Sequence, residues 1–204
     1  MPDCLKTDTC LFSEEKPVVK KTIYCITAAA VFLTVLSFLL YYLKGYGIAL
    51  TFAITFGTIS YHFLMRLITG RIVDSIMKNK ADLTKKWYRC RKWEKRIYER
   101  LRVKRWGKIM PTFQPDYFDT KKHSWSEIAQ AMCQSEVVHE IIVVLSFVPI
   151  LFSIWAGVLP VFLITSVLSA GMDLLLVMLQ RYNRSRVMNL IRKLPEEADP
   201  LQNR

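Results

Sequence analysis

Histidine is nearly missing from this chain, with three in 204 residues. That leaves no His-rich cluster of the kind that membrane desaturases use to hold metal. There is also no Gly-rich phosphate loop and no G-x-S-x-G elbow, so the sequence lacks the marks of a nucleotide-binding P-loop and of an α/β-hydrolase nucleophile. The five cysteines (Cys4, Cys10, Cys25, Cys90, Cys133) form no C-x-x-C pair. Their odd number argues against a disulfide framework and for free thiols. Acidic residues are scarce too: 17 Asp and Glu against 29 Lys and Arg, a formal net charge of +12.

That charge coexists with 52% hydrophobic residues, a mixture that soluble domains rarely show. Segregation explains it. Thr22–Leu43 is uncharged, as are Gly45–Met65 and Ile141–Met172. A helix needs about 20 apolar residues to cross a bilayer, so the first two runs read as one span each. The third is too long for one and carries "AGVLP" near its middle, which reads as a tight turn. The predicted fold is therefore all-α, an integral membrane protein with four transmembrane helices at 22–43, 46–66, 136–155 and 159–180. It is read as a single membrane domain, 1–204. The first run is too long for a signal-peptide core and is expected to stay in the protein.

Basic residues orient the spans. Residues 71–135 carry 17 Lys and Arg against seven Asp and Glu, and the last span is followed by "RYNRSR". Positive charge collects on the cytoplasmic side. The tails 1–21 and 181–204 and the segment 71–135 are therefore expected there, in a multi-pass protein of the cell membrane.

Within the middle segment, residues 71–108 contain no Pro and a single Gly, Gly107. Ile76, Leu83, Trp87, Cys90, Ile97 and Leu101 recur at helical spacing, with Lys and Arg filling the rest. This predicts a basic amphipathic helix between the second and third spans. Trp87, Trp93 and Trp106 suit the headgroup level, so its expected partner is the anionic face of the lipid bilayer. Nucleic acid is disfavoured as a partner because the patch is tethered between spans. "WGKIMPTFQPDYF" then reads as a shaped loop, and "WSEIAQAMCQSEVVHE" as a helical approach to the third span, capped by Ser124 or Ser126.

Polar residues gather at the predicted cytoplasmic ends of the spans. Glu136 and His139 are three apart and share a helix face. His62 and Arg66 share another, and Asp173 lies inside the fourth span near Arg181. An ionisable residue within a membrane is a functional candidate by default. Glu-x-x-His is also a metal-ligand spacing, but di-metal sites need two such motifs and further carboxylates; no metal or cofactor is expected. The pair suits general base catalysis, with Glu136 orienting His139 as it takes a proton from a hydroxyl. The competing readings are a non-enzymatic scaffold or assembly factor, which would use only the basic helix to bind anionic lipid or a partner protein, and a metal-dependent lipid enzyme.

Three stretches carry a resemblance: "YERLRVKRWGKIMPTF", "CQSEVVHE" and "QRYNRSR". Over Tyr98–Arg186 the chain resembles the glycosyl-4,4'-diaponeurosporenoate acyltransferase family of small membrane proteins. The resemblance implies transfer of a fatty acyl group from an activated donor such as acyl-CoA to a hydroxyl of a membrane-held, glycosylated isoprenoid lipid, as in carotenoid biosynthesis. It makes Trp106, Lys108, Pro111, Glu136, His139, Arg181, Tyr182, Asn183 and Arg184 the motif positions. Gly107 and Ser185 depart from the pattern, standing where a basic residue and a proline are expected. The candidate catalytic residues are thus His139 and Glu136, and the candidate substrate-binding residues Arg66, Trp106, Lys108, Asp173, Arg181, Asn183 and Arg184.

Overall fold

The computed structural model describes residues 18–106, 115–120 and 122–193, and among them every regular element is a helix. The helices are α1 (Val18–Lys44), α2 (Gly47–Met77), α3 (Lys92–Arg100), α4 (Val103–Trp106), α5 (Trp125–Leu145), α6 (Val148–Ala156) and α7 (Leu159–Ile191). Four stretches are long and apolar enough to cross a membrane: Val19–Lys44, Gly47–Met77, Trp125–Ile154 and Leu159–Ile191. The protein is thus a multi-pass, all-α membrane protein. Two predicted turns separate the pairs. Gly45 ends α1 and Gly157 ends α6, each at φ +68°, a conformation that glycine adopts without steric cost.

The helices run past their predicted ends wherever nothing in the sequence stops them. α2 continues eleven residues beyond Arg66 and α7 eleven beyond Gln180. The third predicted span begins early, at Trp125. Its N-terminus is a capping box: the Ser124 hydroxyl accepts from the Glu127 N–H at 3.2 Å, and the Glu127 carboxylate accepts from the Ser124 N–H at 2.9 Å. That span is interrupted between α5 and α6.

The basic amphipathic helix is present as α3, nine residues long, rather than as one face running 71–108. Two local features break the longer run. Lys78 and Asn79 take φ of 47° and 55°, ending α2 in a turn where the Lys80 N–H donates to the Met77 carbonyl at 2.7 Å and the Asn79 N–H to Gln134 Oε1 at 2.7 Å. Then Asp82 Oδ1 accepts from both the N–H (2.9 Å) and the hydroxyl (2.6 Å) of Thr84, a side-chain turn that competes with helix. The face is also different from the periodicity. α3 buries Glu94 and Tyr98 and exposes Trp93, Ile97 and Leu101.

By its internal contacts the chain forms two compact units. Among the described residues one, here the basic unit, comprises 18–20, 76–106, 115–120, 122–137 and 176–193. The other, the spanning unit, comprises Lys21–Ser75 and Val138–Leu175. The basic unit has two apolar clusters. Ile128, Ala129, Met132 and Val187 form one, against which Leu83, Phe118 and Trp125 pack. Tyr98, Val103 and Leu179 form the other, with Trp106 and Tyr182 against it.

The spanning unit is built differently. Many of its buried positions are small or hydroxylated, among them Ala30, Ala49, Ala53, Thr27, Thr58 and Ser60. Large apolar side chains such as Phe32, Val144 and Leu168 point outward. Lipid offers no hydrophobic drive for helix association, so close contact between small residues does the work instead. At Gly57 an added Cβ would meet Thr34 Cγ2 at 3.5 Å, and the Thr34 and Ser60 hydroxyls are 3.2 Å apart. The break after α5 has a covalent cause. The Leu145 carbonyl would normally accept from residue 149, but Pro149 has no N–H. The Tyr61 hydroxyl donates to that carbonyl instead, at 2.9 Å, and so satisfies a polar group that water cannot reach in a bilayer.

Candidate functional site

In the spanning unit α2, α5 and α7 bring together Arg66, His139 and Asp173. Asp173 is 1% exposed. One of its oxygens accepts from Arg66 Nη2 and the other is 2.8 Å from His139 Nδ1. Arg66 also donates to the Ser169 hydroxyl at 2.8 Å. Ser169 Oγ is in turn 3.0 Å from Ser146 Oγ, which donates to the Ile142 carbonyl at 2.8 Å. The carboxylate of Asp173, ion-paired with the Arg66 guanidinium, can only accept, so the proton of the shared bond sits on His139 Nδ1. Nε2 is then the lone-pair nitrogen. The His139 side chain keeps 21% of its surface exposed.

This differs from the expected pairing. Helical spacing pairs Glu136 with His139, but the Glu136 carboxylate is engaged in the basic unit. Glu136 is fully buried. Its Oε1 accepts from Arg181 Nε at 2.7 Å and its Oε2 from Arg184 Nη1. Arg181 Nη1 reaches Glu94 at 3.0 Å. Glu94 in turn accepts from the Arg91 N–H at 2.7 Å, at the start of α3. Arg184, 2% exposed, also donates to the Tyr88 carbonyl and lies over the Tyr88 ring, 5.1 Å from its centroid. The reason for the divergence is helical geometry. A three-residue step advances about 4.5 Å along the axis, so Glu136 sits level with the end of α7 that carries two arginines.

Two glutamates and two arginines therefore form a balanced buried network that ties α3, α5 and α7 together. Breaking such a network by removing one partner is costly because the other charge stays buried. Around it, burial and the neighbouring Glu94 push the Tyr98 hydroxyl up to about 12, and the same two causes raise the Cys90 thiol above its ordinary value. Tyr98 packs edge-on against Tyr182, ring centroids 6.4 Å apart.

Of the predicted site residues, His139, Asp173 and Arg66 converge in one unit and Glu136, Arg181 and Arg184 in the other. Trp106 packs on the Tyr98 cluster. Asn183 is half-buried on α7, and Lys108 and Pro111 lie outside the described residues. Sequence reasoning did not single out Ser146, Ser169 or Glu94. Ser169 was within reach of it, since it lies four residues before Asp173 on the same helix face. Glu94 was concealed by the cationic residues around it.

The profile of the family described as glycosyl-4,4'-diaponeurosporenoate acyltransferase matches residues 84–193, more than half of the chain. No curated protein and no solved structure matches. The matched range takes in both carboxylates, His139 and the arginines of α7, and leaves out His62 and Arg66.

Proposed function

The chain belongs to the glycosyl-4,4'-diaponeurosporenoate acyltransferase family, and we propose that it transfers a fatty acyl group to a hydroxyl of a membrane-held lipid. The observation that carries the reading is the 2.8 Å contact between His139 Nδ1 and the buried Asp173. A carboxylate that fixes the Nδ1–H tautomer leaves Nε2 as a base. In the proposed step Nε2 takes the acceptor's hydroxyl proton as its oxygen attacks the acyl carbonyl. The tetrahedral adduct then collapses, an ester forms, the bond to the leaving group breaks, and the imidazolium returns the proton to that group. With a thioester donor the leaving group departs as a thiol, and no redox change occurs.

Arg66 supplies the charge partner of Asp173 within an apolar unit. In this reading Glu136, Arg181 and Arg184 are structural, because each already has its charge partner. Lys85, Lys86, Arg89, Lys92, Lys95 and Arg96 are exposed in the basic unit; they would concentrate an anionic donor such as acyl-CoA near the inner leaflet. The glycosylated isoprenoid acceptor follows from the family name alone.

Lipid analysis of cells with and without the gene tests the reaction class: a lipid that differs by one acyl unit is expected. Purified His139→Gln should form that product 10²- to 10⁴-fold more slowly, the usual worth of a positioned base. Wild-type specific activity in His139→Gln would end the catalytic reading. The non-enzymatic alternative would need only a lipid-binding surface. Trp93 and Ile97 of α3, with Leu101 just after it, are exposed beside Arg96 and Arg100, which suits a lipid surface whether or not the chain is a catalyst.

A further inference from the structure

Two polar side chains in the spanning unit have no hydrogen-bond partner although both are deeply buried. His62 is 5% exposed and neither ring nitrogen is bonded; Ser166 is fully buried and its hydroxyl is unbonded. A neutral imidazole always offers one donor and one acceptor, and leaving such groups unsatisfied in an apolar interior is costly. Other hydroxyls of this unit avoid the cost by bonding back to the carbonyl four residues earlier, as Thr27, Thr34, Thr58, Ser146 and Thr165 do. Ser166 does not, although the Phe162 carbonyl stands at that spacing.

Their level in the unit follows from contacts on either side. At one end an apolar groove of about 240 Å³ is lined by Ile54, Gly57, Thr58 and Tyr61 of α2, Pro149 and Phe152 of α6 and Phe162 of α7. At the other end Arg66 meets Ser169 and Asp173. Contact therefore advances along α2 and α7 in the same direction. His62 lies one turn after Thr58 and one before Arg66. Ser166 lies one turn after Phe162 and three residues before Ser169. Both fall between the groove and the charged cluster, and the His62 ring packs edge-on against that of Tyr61, a lining residue, with centroids 5.5 Å apart. The groove itself offers no free hydroxyl, since Thr58 and Tyr61 donate to the Ile54 and Leu145 carbonyls.

We infer that His62 and Ser166 form an oxygen-binding subsite for an uncharged, chain-bearing ligand, its hydrocarbon in the groove and a hydroxyl or ester carbonyl between the two side chains. A charged headgroup is excluded by the burial of both. A pure hydrocarbon would leave both orphans as they are. The subsite is separate from the base at His139, so it holds an oxygen other than the reacting one, and it stands without the acyl-transfer reading.

The test uses the full-length protein in detergent and a diazirine-bearing hexadecanol as photo-crosslinking probe. Saturable labelling of peptides containing Thr58 or Phe162 is expected. Unlabelled hexadecanol should compete about three- to tenfold better than hexadecane, the worth of one or two hydrogen bonds. His62→Phe and Ser166→Ala should each reduce that preference. Absent saturable labelling, equal competition by the alkane, or an alcohol preference intact in both variants would overturn the inference, the last meaning that water alone satisfies these groups. If His62→Phe is not monodisperse, Ser166→Ala, which removes one atom, decides. His139→Gln separates this from the catalytic proposal: it should keep the alcohol preference whatever happens to turnover.

Discussion

A single nitrogen decides how His139 behaves. With Nδ1–H donating to Asp173, it keeps the lone pair on Nε2; in the other tautomer Nε2 would carry the proton and could not take one. If Asp173 acts only through His139, the two losses do not add. Asp173→Asn in the His139→Gln background should slow product formation little beyond His139→Gln alone, when measured per milligram of monodisperse protein. Full additivity would mean that the residues act separately. Arg184 makes the opposite kind of prediction. Its guanidinium reaches both Glu136 and the Tyr88 carbonyl, which one ammonium group cannot do. Arg184→Ala should cost about 3–5 kcal/mol of stability by leaving the buried Glu94–Glu136–Arg181 network one positive charge short, read as a fall in melting temperature in detergent. Tyr98 gives a pH dependence. Burial raises its hydroxyl from about 10 to about 12, so the folded state holds that proton more tightly than the unfolded one. The stability this contributes is full below pH 10 and is lost as pH rises from 10 to 12. Tyr98→Phe, which cannot titrate, should show a shallower decline in melting temperature over that range.

At the scale of elements, the α5–α6 break shows one side chain compensating for another's missing group. Pro149 lacks the N–H that the Leu145 carbonyl would use, and Tyr61 supplies a donor from α2. Tyr61→Phe should therefore destabilise the protein by about 1–3 kcal/mol. Restoring the N–H with Pro149→Ala should recover part of the loss in the double variant, as thermal unfolding in detergent would show. An independent, additive effect of the two changes would sink this account. α3 illustrates the converse, an element that buries one charged and one aromatic side chain. Glu94 pairs with Arg181 and Tyr98 packs against Val103 and Leu179, and the opposite shoulder at Trp93 faces outward.

For the molecule as a whole, the expected topology has four crossings, with both ends of the chain and the basic segment on the cytoplasmic side. Reporters fused after Lys95 and after residue 190 should then both read cytoplasmic, and one inserted at Gly157 should read external. An external reading after Lys95 would reverse the orientation and place the His139 end of α5 on the wrong face for a cytosolic donor. The two compact units also differ in what stabilises them. The basic unit has apolar clusters and an ion network, and the spanning unit close-packed small residues and shared hydroxyls.

Membrane crossing was legible in the sequence because hydrocarbon thickness imposes a length and a composition, and both are local properties of a run such as Thr22–Leu43. The turns at Gly45 and Gly157 were legible for a similar reason: the backbone there needs a residue that tolerates positive φ. The Ser124 cap depends on its own next three residues and was readable too. What the sequence could not determine is which charges meet. Glu136 and His139 share a helix face, which made them look like a pair, yet each is claimed by a residue more than 30 positions away: Glu136 by Arg181 and Arg184, His139 by Asp173. Such pairings depend on the register of α7 against α5, and register is a property of packed side chains rather than of periodicity. For the same reason the buried face of α3 could not be read from its apolar spacing. In a segment this rich in cations, the scarce carboxylate Glu94 is the residue that turns inward, where it pairs with the half-buried Arg181.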